Sequence, residues 1–194
     1  MAQFSATSTY MHLPGPARIQ LATLSQLPLV HSLMLQGFAE YRRYPRPSSA
    51  LAESVEDVQA AVAKGGALLS TAAGTSVGTA RFRPDWKGGI TSSSRSLIER
   101  AVAGERFPTT QGTLWFSRMT VLPAARGHGL GDQMLQWLDE LARNLGLTAL
   151  EATVRSQQPD NRPYYVARGF EILGYSERYG ISDMVTHIRR RVFC

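Results

Sequence analysis

Residues 114–145 read LWFSRMTVLPAARGHGLGDQMLQWLDELARNL, and this stretch is the most informative part of the chain. Its first part, 114–121, predicts a strand, which leads through a turn at Pro123 into a glycine-rich loop at 126–131. A helix is predicted directly after the loop. This order places free backbone N–H groups at a helix N-terminus where a strand ends. Such a place binds phosphate or pyrophosphate through hydrogen-bond donors and the helix dipole together.

An apolar stripe marks the helix that follows the loop. Asp132 in its first turn and Arg143 near its last both favour the helix dipole, and Gly146 predicts its end. The stripe recurs at spacings of three to five residues, as an amphipathic helix requires. Its members are Leu130, Met134, Leu135, Leu138, Leu141, Ala142 and Leu145.

Two common phosphate-binding loops do not match this sequence. A Walker loop requires Gly-Lys-Ser/Thr after its glycines, whereas Gly131 is followed by Asp132. A dinucleotide fingerprint requires G-x-G-x-x-G near the start of a βαβ unit, whereas these glycines are spaced G-x-G-x-G in the second half of the chain. The sequence therefore disfavours a P-loop NTPase and a dinucleotide-dependent enzyme.

Residues 126–131, RGHGLG, instead resemble the Arg-x-x-Gly-x-Gly loop of the GNAT superfamily of N-acetyltransferases. A second segment, 161–170 (NRPYYVARGF), resembles the GNAT segment in which an Asn-containing turn opens a helix and a Tyr, here Tyr165, lies four residues before a Gly-Phe pair. The resemblance covers about residues 18–192 and is specific over about 114–175. It implies an α/β GNAT fold, a mixed, mostly antiparallel sheet flanked by helices and splayed at its central parallel strands.

The resemblance implies acetyl-CoA as cosubstrate, with no metal. The backbone groups of Met119, Thr120 and Val121 would pair with the pantetheine arm. Asn161 would contact the pantetheine or adenylyl side, although the usual Asn position, seven before the Tyr, is Gln158 here. The loop amides that would hold the pyrophosphate belong to Arg126, Gly127, His128, Gly129, Leu130 and Gly131.

Tyr165 is the candidate general acid, because a phenol stays protonated at neutral pH and can protonate a departing thiolate. The general base is less defined, since 114–121 contains no Glu. Glu151 on the next predicted strand is the first candidate, acting directly or through water. Glu40 and Tyr41 form another wall of the expected cleft, and a water chain without a dedicated base is a further option.

The composition of the chain disfavours several other classes of protein. The chain has 194 residues, a formal net charge of +6 and one cysteine at position 194, which suits neither an internal disulfide nor a covalent acetyl-enzyme. His12, His31 and His187 lack partners at metal-ligand spacing. The Arg run at 189–191 has no aromatic platform, so nucleic acid is not expected as a partner. No secretory signal or membrane span is predicted, and a cytoplasmic location is expected.

The rest of the chain predicts a flexible tail at 1–17 and a single catalytic domain at 18–194. A capping box at 54–57 predicts the start of a helix, and Gly74 predicts a hairpin turn. The other predicted elements are a strand at 18–24, a helical region at 25–44, a helix to residue 64, strands at 67–72 and 76–82, a short helix at 96–103, a strand at 147–154 and a short helix ending at Gly169.

The sequence predicts an acetyl-CoA-dependent N-acetyltransferase that acts by direct transfer in a ternary complex. The first expected acceptor is the primary amine of a small molecule or amino-acid-like metabolite. A protein or peptide N-acetyltransferase is the alternative, and a non-catalytic acyl-CoA sensor on the same fold is a second. A homodimer is an option that the resemblance leaves open.

Overall fold

Residues 17–45, 47–86, 94–155, 160–178 and 181–192 are described by a computed structural model of the chain. The predicted tail, apart from its last residue Ala17, lies outside these ranges, as do Gln158 and Cys194. Seven strands form one sheet in the order β1-β2-β3-β4-β5-β7-β6. They are β1 (Arg18–Leu21), β2 (Gly66–Ala72), β3 (Thr75–Trp86), β4 (Gly112–Val121), β5 (Ala149–Arg155), β6 (Glu171–Arg178) and β7 (Ile181–Arg191).

Helices cover both faces of the sheet at its β1–β4 end. Leu69 of β2 packs with the first two helices, whereas its neighbour Leu68 packs with the third and fourth, as the alternation of side chains along a strand requires. The helices are α1 (Leu27–Gly37), α2 (Val55–Val62), α3 (Ser94–Val102), α4 (Leu130–Asn144) and α5 (Arg162–Val166), and short 3-10 turns lie at Leu24–Gln26, Ala39–Arg43, Ser49–Ala52 and Pro123–Ala125.

Several local predictions are confirmed. Ser54 Oγ accepts from Asp57 N at 3.2 Å and Asp57 Oδ2 accepts from Ser54 N at 2.8 Å, which is the predicted capping box of α2. Helix α4 follows the glycine loop and ends before Gly146, whose φ is +70°. The helical region predicted at 25–44 is divided, because α1 ends at Gly37 in close contact with β4. A Cβ at Gly37 would lie 2.2 Å from Thr120 Oγ1.

The side chain of Asn161 does not cap α5. Asn161 occupies the N-cap position, but its side chain makes no capping hydrogen bond. Asp160 Oδ1 instead accepts from the backbone N–H of Arg162 at 3.0 Å. The Asn161 side chain is turned toward the cleft, where its Nδ2 donates to Tyr41 Oη at 3.4 Å.

The central strands β4 and β5 are parallel, and they separate after three paired positions. Thr113, Leu114 and Trp115 lie opposite 149–151, and the pairing then ends. From there β4 continues against β3, while β5 continues against β7. Each strand keeps an outer neighbour, so the inner edges leave backbone groups open to a ligand. This confirms the predicted splay.

Candidate active site

A cavity of about 720 Å³ lies beside the free edge of β4. It is enclosed by the C-terminal end of α1, the N-terminal end of α4 and helix α5. Nine of the ten residues predicted to bind the coenzyme line it. They are Met119, Thr120, Val121, Arg126, Gly127, Gly129, Leu130, Gly131 and Asn161.

The glycine loop adopts a backbone conformation that needs glycine at two positions. Gly127 has φ +82° and Gly129 has φ +73°, in the left-handed region that L side chains rarely adopt. Gly129 directly precedes α4, so the first N–H groups of that helix have no intrahelical acceptor. A Cβ at Gly127 or Gly129 would meet no protein atom within 4 Å. The loop therefore combines unpaired donors with open space, which fits a diphosphate.

The two charged or titratable residues of the loop differ in position. Arg126 lines the cavity, whereas His128 does not belong to its described lining. Arg126 Nε donates to Val121 O at 3.0 Å and its guanidinium pairs with Glu40 at 2.9 Å, which ties the loop to β4 and to the turn after α1. His128 is the predicted coenzyme residue that the described cavity lining lacks. It is exposed, and its Nδ1 lies 2.9 Å from Arg126 O.

A polar cluster connects α4 to α5 beside this loop. Asp132 accepts hydrogen bonds from Arg168 and, at 3.2 Å, from the hydroxyl of Tyr164, and the Arg168 guanidinium lies 3.6 Å from the centroid of the Tyr164 ring. The bond from Arg168 lowers the pKa of Asp132, and burial raises the pKa of Tyr164 to about 12. A Cβ at Gly131 would lie 2.4 Å from Tyr164 Oη, so glycine allows this close approach.

Tyr165 lies at the inner end of the cavity and is 8% exposed. Its ring packs against Phe116 and Phe170, with centroids 5.9 and 5.5 Å apart. Within the described ranges no residue is hydrogen-bonded to the Tyr165 hydroxyl. Burial raises the pKa of Tyr165 above that of an ordinary phenol, so the group keeps its proton at neutral pH.

A second cavity, of about 920 Å³, opens on the other side of Tyr165. It lies between the turns at 45–53 and the faces of β3, β4, β5 and β7. The two cavities share five lining residues, which are Phe38, Tyr41, Met119, Asn161 and Tyr165. Because these residues border both spaces, a ligand bound in one cavity can meet a ligand bound in the other beside the Tyr165 side chain.

A buried ionic cluster forms part of the second cavity. Glu53 Oε1 accepts from Arg81 Nη2 at 3.1 Å and from Arg118 Nε at 2.9 Å. Arg118 also donates to Ser49 Oγ at 3.0 Å. It has φ +53° and lies in a β-bulge, since Ala80 is the one β3 residue between the pairs formed by Thr79 and Arg81, while β4 has two residues there.

Glu151, the predicted base, is not brought into either cavity. Its Oε1 pairs with Arg189 Nε at 2.8 Å, and it is absent from the lining of both cavities within the described residues. Its neighbour on the same side of β5, Thr153, does line the second cavity. His187, opposite Thr153 on β7, also lines that cavity, and its Nε2 lies 2.7 Å from Ser176 Oγ.

Several lining residues carry no local sequence signal. Arg81 lies on β3, Arg118 on β4 and Glu53 after the turn at Ser49–Ala52, and no local motif connects them. The sequence likewise does not point to His187 as a lining residue. The described residues include no group of three His, Cys, Asp or Glu side chains placed to hold a metal ion. Among the described helices, none has both the length and the apolar character to cross a membrane.

Known structures share this architecture at low sequence identity. YncA from Salmonella typhimurium, solved with acetyl-CoA, aligns with a TM-score of 0.58 and 19% identity over 92% of this chain and 95% of its own. Naa50 from Arabidopsis thaliana, solved with a bisubstrate analogue, aligns with a TM-score of 0.60 and 16% identity over 90% of this chain and 97% of its own. Ribosomal-protein-alanine N-acetyltransferase from Brucella melitensis aligns with a TM-score of 0.59 and 18% identity over 90% of this chain and 99% of its own.

The sequence comparison gives the family directly. No curated protein matched the chain. Residues 32–170, which run from within α1 through the splayed strands and the glycine loop to the residue before β6, match the Acetyltransferase (GNAT) family. The chain belongs to the Acetyltransferase (GNAT) family and is an N-acetyltransferase that uses acetyl-CoA as its donor.

Proposed function

We propose that this enzyme acetylates the primary amine of a small molecule, with both substrates bound at once. The supporting observation is the wall that the two cavities share, with Tyr165 between them. The glycine loop suits the coenzyme diphosphate, and the second cavity, at about 920 Å³, has the size of a small-molecule site. Direct attack fits this arrangement, because two ligands held in contact react without a covalent enzyme intermediate.

The reaction needs a proton removed and a proton supplied. The amine nitrogen attacks the thioester carbon, the carbon–sulfur bond breaks, and the sulfur leaves as a thiolate that takes up a proton. Tyr165 is the proposed donor of that proton, since it lines both cavities and its hydroxyl has no hydrogen-bond partner among the described residues. Met119, Thr120 and Val121 are proposed to hold the pantetheine arm through their backbone groups, along the free edge of β4.

Two groups are proposed to take the proton of the acceptor ammonium. The His187 imidazole lines the acceptor cavity and is the more direct of the two. Glu151 would act through water, because its carboxylate is paired with Arg189 outside the described lining. The two groups lie close together in the sheet, because His187 on β7 is paired with Thr153, two residues after Glu151 on β5.

Calorimetric titration with acetyl-CoA, followed by a thiol-release screen against primary amines, tests the proposal. We expect acetyl-CoA to bind and at least one small amine to give a product heavier by one acetyl group. Acetylation of peptides alone would replace the small-molecule acceptor with a peptide N-terminus or lysine. Binding of acetyl-CoA without turnover of any amine would point to an acyl-CoA sensor.

A further inference from the structure

The two cavities differ in the charge of their described lining. The coenzyme cavity has two guanidinium groups and two carboxylates, those of Arg126, Arg168, Glu40 and Asp132. The described lining of the acceptor cavity includes the guanidinium groups of Arg81, Arg83 and Arg118 against the single carboxylate of Glu53. A space lined by an excess of one sign attracts ligands of the opposite sign.

Glu53 does not remove this excess. It contacts Arg81 at 2.8 Å and Arg118 at 2.9 Å, so one negative charge faces two positive charges that are largely shielded from water. Their side chains are 10% and 22% exposed. The cluster therefore keeps a net positive charge in a place where solvent screens it weakly.

Arg83 adds a second positive charge near the mouth of the acceptor cavity. It is exposed, and its guanidinium lies 5.7 Å from the centroid of the Trp115 ring, its register partner on β4. Over the described ranges, no carboxylate forms an ion pair with Arg83. A guanidinium stacked on an aromatic ring is preordered and presents its donors as a planar fork that fits a carboxylate or phosphonate.

We propose that the acceptor is a small amine that also carries an oxyanion, a carboxylate or a phosphonate, which Arg83 binds while the amine faces Tyr165. This inference rests on the proposed small-molecule acetyltransferase and adds the chemical class of its acceptor. The same field disfavours polycationic acceptors, because a second ammonium group would lie among guanidinium groups.

Matched acceptor pairs separate this anion requirement from amine reactivity. Each free amino acid is assayed beside its carboxamide, and 2-aminoethylphosphonate beside ethanolamine, by thiol release and by calorimetry with the CoA-saturated and the coenzyme-free protein. Assays are run at a pH fixed relative to each amine's own pKa. We expect the anionic member of the best pair to exceed its neutral partner in kcat/KM by about tenfold or more, the size of one charged hydrogen bond.

The Arg83→Gln variant locates the effect, and Arg143→Gln is its control. Arg143 is an equally exposed arginine on α4, outside the described lining of both cavities, so its loss changes net charge by the same amount. Arg83→Gln is expected to reduce the preference for the anionic partner about tenfold while acetyl-CoA affinity is unchanged. Arg143→Gln is expected to keep the preference.

Three results would overturn the proposal. The first is a kcat/KM for the neutral acceptors that equals or exceeds that for the anionic ones. The second is an equal loss of kcat/KM for both members of a pair in Arg83→Gln. The third is protein that binds acetyl-CoA but neither binds nor acetylates any anionic acceptor. Failure of acetyl-CoA to bind contradicts the proposed function instead. Anion binding by the coenzyme-free protein is read separately, so the two failures remain distinguishable.

Discussion

Arg118 Nε donates to Glu53 Oε1 at 2.9 Å across 65 residues of chain, and Arg118 has φ +53° in the bulge of β4. A non-glycine residue in this region costs about 1–3 kcal/mol and persists only where its surroundings hold it. Here the surroundings are Glu53 and Ser49. The next residue, Met119, lines both cavities, so the ion pair holds the strand where the two cavities meet.

Glu53→Gln is expected to lower the free energy of unfolding by about 3 kcal/mol, because it leaves Arg81 and Arg118 partly buried without their carboxylate. Urea denaturation measures the change. Glu140→Gln, at an exposed position of α4, is the control for loss of one acidic charge and should stay within about 0.5 kcal/mol of the wild type. A loss of similar size in both variants would contradict the role given to Glu53.

Gly129→Asp is expected to raise the Kd for acetyl-CoA at least about tenfold, because it puts a negative charge among the loop amides at the start of α4. Calorimetric titration measures it. Gly74→Asp is the matched control, since Gly74 also has a positive φ, +77°, with open space around it, but lies in the β2–β3 hairpin. Equal weakening in both variants would contradict the specific role given to the loop at Gly129.

Tyr165→Phe is expected to lower kcat by about 10²-fold or more, the usual size of a general acid's contribution. The Kd for acetyl-CoA should change little, because the ring contacts with Phe116 and Phe170 remain. Tyr164→Phe removes the neighbouring phenol, which binds Asp132, and is expected to retain most of the turnover. Unchanged kcat in Tyr165→Phe would remove Tyr165 from the chemistry.

The pH dependence of kcat/KM separates the two proposed bases. If His187 accepts the proton, the acidic limb of the profile is lost in His187→Gln and kept in Glu151→Gln. If Glu151 accepts it through water, the limb is lost in Glu151→Gln and kept in His187→Gln.

Asp132 gives stability that depends on pH. Pairing with Arg168 lowers its pKa in the folded protein, so the contribution is present above the carboxyl pKa of the unfolded chain and is lost as pH falls through the folded value. The side chain is 47% exposed, which limits the contribution to about 1 kcal/mol. Urea unfolding should therefore show Asp132→Asn less stable than the wild type at pH 7. The two should converge as pH falls through the folded pKa of Asp132.

The parts that the sequence predicted are those with local physical causes. Three such features each depend on residues close together in sequence. They are the capping box at Ser54 and Asp57, the end of α4 at Gly146 and the apolar stripe of α4. The loop that precedes α4 is recognisable in the sequence because its three glycines lie within five residues, 127–131. These features specify where helices and strands begin and end. Together with the family resemblance, they predict the mixed sheet and its splayed central strands.

The missed parts depend on contacts between distant residues. Nothing near Arg118 indicates its positive φ, since the cause is a carboxylate 65 positions away. Asn161 satisfies a capping pattern, yet its side chain is taken up by Tyr41, which lies 120 residues earlier. Glu151 was chosen from its strand, but its pairing with Arg189 follows from the register of β5 and β7.

In the proposed ternary complex, the five side chains that border both cavities also make the two binding equilibria interdependent. If the coenzyme orders Phe38, Tyr41 or Tyr165 when it binds, the acceptor no longer bears the entropic cost of ordering those side chains. The coenzyme is spared the same cost when the acceptor binds first. Linkage makes the factor reciprocal, so the acceptor must alter coenzyme affinity as much as the coenzyme alters that of the acceptor. A substitution in this wall is therefore expected to change both dissociation constants together.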